Sequence, residues 1–454
     1  MSQVAISLAS RLGELVSTAR VIADPASLAG YEVDGCRPSA ALQPSAVSEI
    51  AETLRFASAE RLAVIPTGGR THLHIGMPPH PYDLALDLSQ MNRVLAFEPR
   101  DLTLGVEPGM TYAELDRTLR EKGQFLPLAP PLAERATIGG IVGAAADTPF
   151  RYGHGTAKDF LLGIEFVTGE GIVSKSGGRV VKNVTGYDLH KLFIGSLGTL
   201  GVITRLNFRT FPLPPGQKMF VAAFPEAAGA LALCRAITKS PLQPRILDVL
   251  DPGAADLFAT RDAVFQIRNS WLVIIEAAGQ EAVLERHARD LAALSNEAHA
   301  SEFLALDSGQ RHQLFSCLSE FSSLAFGATS SAMIFRVPSL PSALPPLLEG
   351  MRKLSDAHAL KHAILIRALG VVYFAFLPPA VSKIFPELLS CSREMMDLCV
   401  TCGAAPMIER CPLEIKKTLD IWPPAWAQHE IAERLKHVFD PNSILSPGRF
   451  RGGI

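Results

Sequence analysis

Two glycine-rich segments have the residue types that backbone recognition of an anion requires. One reads PTGGRT at 66–71, and the other reads ATIGGIVGAAA at 136–146. Glycines leave backbone N–H groups open to a ligand, and a helix that begins at Thr137 would direct its positive dipole end toward that ligand. Consecutive N–H donors in a turn also form an anion-binding concavity. We therefore predict that the two segments bind one diphosphate together.

The spacing of these glycines differs from that of the commonest nucleotide-binding motifs. Residues 139–143 read GGxxG and not GxGxxG, and GxxxxGK[ST] does not occur in the chain. The pattern therefore does not support an NAD-binding Rossmann fold or a nucleoside-triphosphate loop. The alternative is that the glycines only form tight turns and allow close helix packing.

Histidine and cysteine are also candidate ligands, but their spacing predicts no metal site. His72 and His74 would share one face of a strand, and no third ligand lies near them in the sequence. Cys399 and Cys402 form a CxxC pair, but the neighbouring cysteines at 391 and 411 do not complete a common zinc or iron–sulfur spacing. Reduced thiols are the expected state of all seven cysteines in a chain without secretion features.

The elements that must position the glycine segments alternate closely in the first half of the chain. A helical pattern at 44–60 precedes the apolar run RLAVIPT, which leads directly into the first glycine turn. The second glycine segment follows the strand-like stretches at 83–89, 93–99 and 101–109 and a helix that opens with TYAEL. Of the 35 glycines, 23 occur at or before Gly201, so the turns that could bind a ligand are concentrated in this half.

Length, charge and hydropathy exclude several classes of protein. A chain of 454 residues exceeds what one hydrophobic core usually supports, so two or three domains are expected. A net charge of -2 gives no broad field for nucleic acid or an anionic membrane. No apolar run reaches the roughly 18 residues that a transmembrane helix needs. The first residues lack an export signal, so we expect a cytoplasmic protein without membrane insertion.

The proline-rich segment PLPPG at 212–216 predicts a domain boundary. Beyond it, longer helical patterns alternate with strands and carry no local motif. We therefore predict one domain over 1–214, a second α+β domain over 215–405 and a C-terminal segment over 406–454.

Six motifs, taken in chain order, resemble the FAD-linked oxidases of the vanillyl-alcohol-oxidase type, which have a PCMH-type FAD-binding domain. They are PTGGRT, VEPGMTYAEL, ATIGGIVGAAA, RYGHGTAKDFLLGIEFVTGEG, GGRVVKNVTGYDLHKLFIGSLGTLGVIT and FDPNSILSPGRF. VKNVTGYDL with GSLGTLGVIT is the most specific match and is similar to the FAD-binding subunits of bacterial glycolate oxidase. The resemblance covers about 45–215 and 430–450. It implies an α+β fold with a two-lobed FAD-binding domain, an inserted cap domain and a C-terminal segment that returns to the first domain.

The resemblance also implies which residues contact FAD. The pyrophosphate loop would comprise Pro66, Thr67, Gly68, Gly69, Arg70 and Thr71, and further phosphate and ribityl contacts would come from Thr137, Ile138, Gly139 and Gly140. Tyr152 and Gly153 would line the flavin, and the backbone of Gly201, Val202 and Ile203 would face its adenine or isoalloxazine part. Lys182, Asn183, Tyr187 and Asp188 would orient the flavin or a neighbouring subunit, unless they only complete a tight turn.

The activity that the resemblance implies is oxidation of a small 2-hydroxy acid. Such a reaction needs a cation for the carboxylate and a base for the hydroxyl proton. Arg410 in CGAAPMIERCP and His154 beside the expected flavin are weak candidates, and the histidine-rich, metal-binding segment of the catalytic relatives is not found in this chain.

Three interpretations of the whole protein follow from this resemblance. In the first, it is an FAD subunit that works with a second flavin subunit of glycolate oxidase type and an iron–sulfur subunit, through which it lies at the periphery of a membrane. In the second, it is a non-catalytic subunit that retains the oxidase fold. In the third, it is a free-standing oxidase of an alcohol or hydroxy acid.

Overall fold

The computed structural model describes residues 2–16, 20–179, 186–261, 267, 269–379, 385–423 and 429–454. The chain forms two compact units. The first contains 1–147, 156–213 and 424–454, and the second contains 148–155 and 214–423. The mixture of helices and antiparallel and parallel strands confirms the α+β class.

The strands of the described residues are numbered in chain order. They are β1 (Val21–Ile22), β2 (Ala40–Leu42), β3 (Val64–Thr67), β4 (Leu84–Asp87), β5 (Val94–Glu98), β6 (Thr103–Val106), β7 (Gln124–Phe125), β8 (Leu161–Val167), β9 (Val173–Gly177), β10 (Val202–Arg209), β11 (Phe211–Pro212), β12 (Gly216–Phe224), β13 (Ile246–Leu250), β14 (Trp271–Gly279), β15 (Glu302–Ala305), β16 (Met333–Pro338), β17 (Lys361–Arg367), β18 (Val371–Leu377) and β19 (Met407–Arg410).

The helices are numbered in the same way. They are α1 (Ser2–Leu15), α2 (Pro25–Leu28), α3 (Val47–Glu60), α4 (Tyr112–Arg120), α5 (Ile138–Gly143), α6 (Arg151–His154), α7 (Ala157–Phe160), α8 (Ala227–Lys239), α9 (Pro252–Arg261), α10 (Glu281–Glu297), α11 (Ser308–Ser319), α12 (Phe321–Ala328), α13 (Leu344–Ala357), α14 (Phe385–Thr401), α15 (Leu413–Lys416) and α16 (His429–Phe439). None of the described helices is both long and apolar enough to cross a membrane.

The first unit has two lobes, each built on its own sheet. In one lobe the order is β1-β2-β4-β3, and β2, β4 and β3 run parallel. The other lobe has the antiparallel order β5-β6-β10-β8-β9. The central strands are short runs of buried Val, Leu, Ile and Ala, which is typical of sheets covered on both faces. Each sheet contributes to a separate hydrophobic cluster.

The C-terminal segment extends the parallel sheet at β3. The N–H of Val64 donates to the carbonyl of Ile444 at 2.7 Å, and the N–H of Ser446 donates to the carbonyl of Val64 at 2.9 Å. Leu445 is thus paired with Val64 as a parallel bridge. The last residues of the chain therefore lie beside the strand that carries the first glycine turn.

The second unit contains an antiparallel sheet with the order β15-β12-β14-β13-β17-β18-β16-β19. Because β19 pairs with β16 at the sheet edge, 406–423 lie in this unit, whereas the sequence assigns them to the returning segment. Residues 148–155 also lie here, although the sequence places them within 1–214. Both differences arise from pairing and packing with residues distant in sequence.

Candidate functional site

Three segments that are distant in the sequence line one cavity in the first unit. It encloses about 830 Å³ of space, part of it open to solvent, and its walls come from residues within 65–73, 137–144 and 196–203, with Arg449 from the C-terminal segment. The predicted ligand-binding residues in its wall are Pro66, Thr67, Gly68, Gly69, Arg70, Thr71, Thr137, Gly139, Gly140, Gly201 and Ile203. The structure therefore brings most of the predicted site residues to one place.

The two glycine turns are in direct main-chain contact. The N–H of Gly69 donates to Oγ1 of Thr137 at 3.4 Å. A Cβ on Gly69 would lie 1.6 Å from the carbonyl oxygen of Arg135, and a Cβ on Gly68 would lie 2.2 Å from Oγ1 of Thr137. No side chain fits at this contact, so glycine is required for the turns to meet.

The start of α5 differs from the sequence prediction. The N–H groups of Ile138 and Gly139 were expected to be free, but they donate to the carbonyls of Met110 at 2.9 Å and Pro108 at 2.8 Å. A Cβ on Gly139 would lie 2.6 Å from Cβ of Pro108, so this glycine permits packing against the 108–110 turn. The N–H of Gly140 has no protein partner among the described residues.

The side chain of Arg70 is engaged within the protein. Its Nη1 lies 3.2 Å from Oδ2 of Asp87, and its Cζ lies 4.5 Å from the ring centre of Tyr31. Asp87 is buried and also accepts a 2.7 Å hydrogen bond from the hydroxyl of Tyr31, whose pKa burial and this hydrogen bond raise to about 12. Arg70 therefore lines the cavity mainly with its main chain. Its backbone is in the left-handed region, with a φ of 58°.

Thr67 carries an unsatisfied polar group at the cavity. Its Oγ1 is buried and has no hydrogen-bond partner among the described residues. A buried hydroxyl without a partner costs about 1–3 kcal/mol, so a polar ligand in this cavity would remove the cost. This atom, with the bare main chain of the two turns, fits an anionic cofactor that is recognised mostly by backbone.

A buried lysine fixes the third wall of the cavity. Nζ of Lys436 in α16 donates to the carbonyls of Thr199 at 2.9 Å and Leu445 at 2.8 Å, and it lies 2.7 Å from Oδ2 of Asp440. Burial lowers the pKa of Lys436, which the carboxylate of Asp440 opposes. The sequence analysis missed this network, although a Lys and an Asp spaced i, i+4 at the end of a predicted helix could have indicated it.

Two family models match separate parts of the chain. The model described as an FAD binding domain matches 38–177, and the model of the C-terminal domain of FAD linked oxidases matches 213–377. The first match covers two of the three cavity segments.

The chain carries an FAD binding domain and the C-terminal domain of FAD linked oxidases.

FAD is the cofactor of this chain. Among curated proteins, the chain is 31% identical to glycolate oxidase subunit GlcD of Bacillus subtilis over 47% of the chain and 46% of that protein. It is 32% identical to glycolate oxidase subunit GlcE of Escherichia coli over 36% of the chain and 46% of that protein. It is 25% identical to the mitochondrial D-lactate dehydrogenase [cytochrome] of Arabidopsis thaliana over 91% of the chain and 73% of that protein. The chain spans about half the length of the first curated relatives that it matches.

Solved structures share the fold of this chain. p-Cresol methylhydroxylase with substrate bound superposes with a TM-score of 0.78 at 16% identity, covering 98% of this chain and 97% of the other. The isoeugenol complex of 4-ethylphenol oxidase from Gulosibacter chungangensis has a TM-score of 0.76 at 19% identity, with 98% and 97% covered. Similarity at this identity concerns the architecture alone.

Other predicted site residues lie outside the cavity wall. Ile138 and Val202 are buried in the cores of the first unit. Tyr152 and Gly153 belong to α6 in the second unit, where the Tyr152 hydroxyl lies 3.4 Å from that of Thr238. Their contact with FAD stays a prediction.

The two weak catalytic candidates are also in the second unit. His154 lies at the end of α6 with its ring edge toward Phe150, at a centroid distance of 6.0 Å. Arg410 lies in β19, with Cζ 3.6 Å from the ring centre of Phe326, and burial lowers the pKa of its guanidinium. A catalytic role for either residue stays a prediction.

The structure describes only part of the polar residues of the fifth motif, at 177–204. Lys182 and Asn183 lie outside the described residues. Tyr187 is 89% exposed, and Asp188 forms an ion pair of 2.9 Å with Lys191.

The histidine pair lies at the first turn. Nδ1 of His72 lies 2.9 Å from Oγ1 of Thr71, and the rings of His72 and His74 stack at 6.3 Å. Within the described parts of the chain, no cluster of three or more His, Cys, Asp or Glu side chains could hold a metal ion.

Arg449 is a cavity residue that the sequence analysis did not select. It is buried, and its Nη2 donates to the carbonyls of Leu73, at 2.8 Å, and Ile75. Burial lowers the pKa of its guanidinium. Its position in SPGRF, one of the motifs of the resemblance, was the available signal.

Proposed function

We propose that the cavity binds the diphosphate part of FAD and that the protein oxidises a small 2-hydroxy acid. The buried, unsatisfied Oγ1 of Thr67, a cavity residue that directly precedes Gly68 and Gly69, is the observation that supports the diphosphate assignment. A diphosphate presents acceptor oxygens, and the Thr67 hydroxyl and the N–H of Gly140 are donors without a protein partner in the described structure. In the proposed complex, both groups donate hydrogen bonds to the phosphate oxygens of the cofactor.

The proposed roles of the chain's residues are to bind and orient the cofactor. Pro66 to Thr71 would present main chain to the diphosphate, with Thr137 and Gly140 on the opposite turn. The 196–203 wall, fixed by Lys436, would contact the remainder of FAD. When bound, FAD supplies the acceptor for the two electrons that leave the substrate.

The proposed substrate class follows from the names of the relatives. Glycolate oxidase subunits, D-2-hydroxyglutarate dehydrogenases and a D-lactate dehydrogenase are all named for small 2-hydroxy acids. Each of these compounds carries a hydroxyl next to a carboxylate, so an enzyme of this kind needs a cation for the carboxylate as well as the flavin.

We also infer that the protein works as a subunit. Two of the relatives are named as subunits of glycolate oxidase, which supports assembly with a second flavin subunit of that type. An iron–sulfur subunit would then take electrons from the flavin and place the complex at the periphery of a membrane. Co-purification with a tagged chain, followed by iron analysis of the partners, tests this assembly.

An absorption spectrum of the purified chain, followed by anaerobic addition of glycolate or D-lactate, tests the activity. Flavin absorbance that bleaches on addition supports oxidation by this chain. A yellow protein that does not respond supports a non-catalytic subunit. A colourless protein that also fails to take up added FAD contradicts the cofactor assignment.

A further inference from the structure

Residues 440–449, called the C-terminal strap below, are hydrogen-bonded to the cavity wall that carries the first glycine turn. The N–H of Ser446 donates to the carbonyl of Val64 at 2.9 Å, and Nη2 of Arg449 donates to the carbonyl of Leu73 at 2.8 Å. Val64 precedes the turn and Leu73 follows it. The strap therefore holds this wall on both sides of the turn.

One buried lysine ties the same strap to the third wall of the cavity. Nζ of Lys436 donates to the carbonyl of Leu445 in the strap at 2.8 Å and to that of Thr199 at 2.9 Å. The preceding residue, Gly198, lines the cavity, and a Cβ at its position would lie 3.4 Å from Oγ of Ser446. Docking of the strap therefore fixes two walls of the cavity relative to each other.

The docked strap has unfavourable features of its own. Ser443 and Ser446 have left-handed backbones, with φ of 50° and 45°, which is costly for a residue other than glycine. Oγ of Ser446 is also buried without a hydrogen-bond partner among the described residues. The carboxylate of Asp440 opposes these costs, because it accepts hydrogen bonds from the N–H groups of Ile444 at 3.1 Å and Leu445 at 2.8 Å. Docking is therefore a balance that contacts with the walls decide.

We propose that docking of the C-terminal strap and binding of the cofactor are coupled. A ligand in the cavity contacts the two walls in the positions that the docked strap gives them, so it binds the docked state more tightly than the undocked state. Linkage then requires the ligand to stabilise the docked strap by the same factor. The strap stays docked while the cofactor is bound and opens more often once the cofactor has left. Naming this ligand as FAD rests on the proposed function.

Hydrogen–deuterium exchange of the full chain, with FAD bound and after its removal, tests the coupling. Exchange of backbone N–H groups measures local opening of the structure. We expect peptides that cover 440–449 to exchange about tenfold faster without FAD, as for a coupling free energy of ordinary size. Peptides from β8 are the internal control, because this strand lies in the same unit outside the cavity wall, and their exchange should not change.

Leu445→Ala tests the coupling by weakening the strap. Leu445 is fully buried and is not one of the residues that line the cavity, so its truncation disfavours docking without altering the cavity wall itself. We expect FAD to bind about tenfold more weakly, because only the docked fraction binds it well. Leu119→Ala is the matched control, since Leu119 is an equally buried leucine of the same unit outside the wall. This control should lose stability and keep the parental FAD affinity.

Ser443→Gly should partly rescue the weakened strap. Glycine adopts the left-handed backbone at this position without a steric cost, and the side chain of Ser443 is exposed. The double variant Leu445→Ala/Ser443→Gly should therefore bind FAD about threefold more tightly than Leu445→Ala alone. Where Leu445→Ala fails to fold, Ile444→Val is the smaller truncation that replaces it, with about threefold weaker FAD binding expected.

Three outcomes overturn the coupling. In the first, the strap exchanges equally fast with and without FAD while FAD protects 66–71 or 137–144, which leaves the cofactor site of the proposed function in place. In the second, β8 changes by the same factor as the strap, because FAD then stabilises the whole unit. In the third, a folded strap variant binds FAD as tightly as the parent protein. A protein that takes up no FAD at all contradicts the proposed function, and the coupling to FAD fails with it.

Discussion

The amide nitrogen of Gly69 lies 3.4 Å from the hydroxyl oxygen of Thr137, so two turns separated by 68 residues meet at one point. The same place has no room for a side chain on Gly69 and leaves the hydroxyl of Thr67 without a partner among the described residues. Cofactor binding and main-chain packing therefore depend on the same few atoms. Single substitutions at these residues can show which atoms contribute to FAD binding and which contribute to stability.

Thr67→Val should weaken FAD binding without weakening the fold. Valine keeps the shape of threonine but removes the buried, unsatisfied hydroxyl, so the FAD-free protein should gain about 1 kcal/mol in its free energy of unfolding. The FAD-bound protein should lose a hydrogen bond and bind FAD about fivefold more weakly. Denaturant unfolding of the FAD-free form and FAD titration measure the two effects. Unchanged FAD affinity in the folded variant would remove Thr67 from the site.

Gly69→Ala should separate the two turns. The new Cβ would lie 1.6 Å from the carbonyl oxygen of Arg135, so the backbone must move, at a cost of about 1–3 kcal/mol. We expect a lower melting temperature and loss of bound FAD, measured as the ratio of flavin to protein absorbance. Gly30→Ala is the control, because no atom lies within 4 Å of its Cβ position. Full FAD retention at the parental melting temperature in Gly69→Ala would contradict the placement.

Lys436→Met should destabilise the first unit and loosen the cavity wall at Thr199. The substitution leaves the carboxylate of Asp440 buried without its cation, and losing one member of a buried pair costs about 3–5 kcal/mol. The double variant Lys436→Met/Asp440→Asn should recover part of that loss. Lys353→Met is the control, because this lysine is 66% exposed. Denaturant unfolding provides the measurement, and equal stability of the single variant and the parent would argue against the network.

Asp251→Asn should change how stability depends on pH. Asp251 accepts hydrogen bonds from the N–H groups of Ala254 and Ile364, both at 2.7 Å, and its Oδ2 lies 3.4 Å from Nε2 of His362. Burial raises the pKa of Asp251 from 3.8 to about 7. Between these values the folded state binds a proton that the unfolded state has lost, so this contribution is present at low pH and disappears as pH rises toward 7.

Comparing the parent protein with the Asp251→Asn variant isolates the contribution of the Asp251 carboxyl group to the pH dependence of stability. Burial lowers the pKa of His362, which acts in the opposite direction below its ordinary value of 6.5, but His362 is present in both proteins. Relative to Asp251→Asn, the parent should lose up to about 4 kcal/mol in its free energy of unfolding between pH 4 and 7. Urea unfolding at several pH values gives this difference. Parallel pH profiles would show that the carboxyl group does not titrate in this range.

Local pattern accounts for the elements around the cavity. The apolar run of β3 followed by consecutive glycines predicts a strand and a turn, and both occur where expected, with Val64–Thr67 leading into Gly68 and Gly69. The motifs of the resemblance also predicted the fold of the FAD-linked oxidases. Each of these features depends on residues within a few positions of one another.

The prediction of the helix start failed for the opposite reason. Free N–H groups at Ile138 and Gly139 follow from helix geometry, but the carbonyls that use them belong to residues 28 to 31 positions earlier. Similarly, the salt bridge between Arg70 and Asp87 withdraws the guanidinium from the cavity. Nothing in the local sequence around either segment indicates these partners.

The sequence by itself determined the fold, the FAD-binding class and the glycines that form the turns. Hydrophobic periodicity, glycine positions and family motifs all depend on residues that are close together in the sequence. Only the tertiary structure decided which N–H and O–H groups remain free to bind a ligand. Packing determines which acceptors of the protein lie within hydrogen-bonding distance of each donor. It also brought Lys436 to the carbonyl of Thr199, because their separation of 237 residues is closed by helix packing, which leaves no periodic signal.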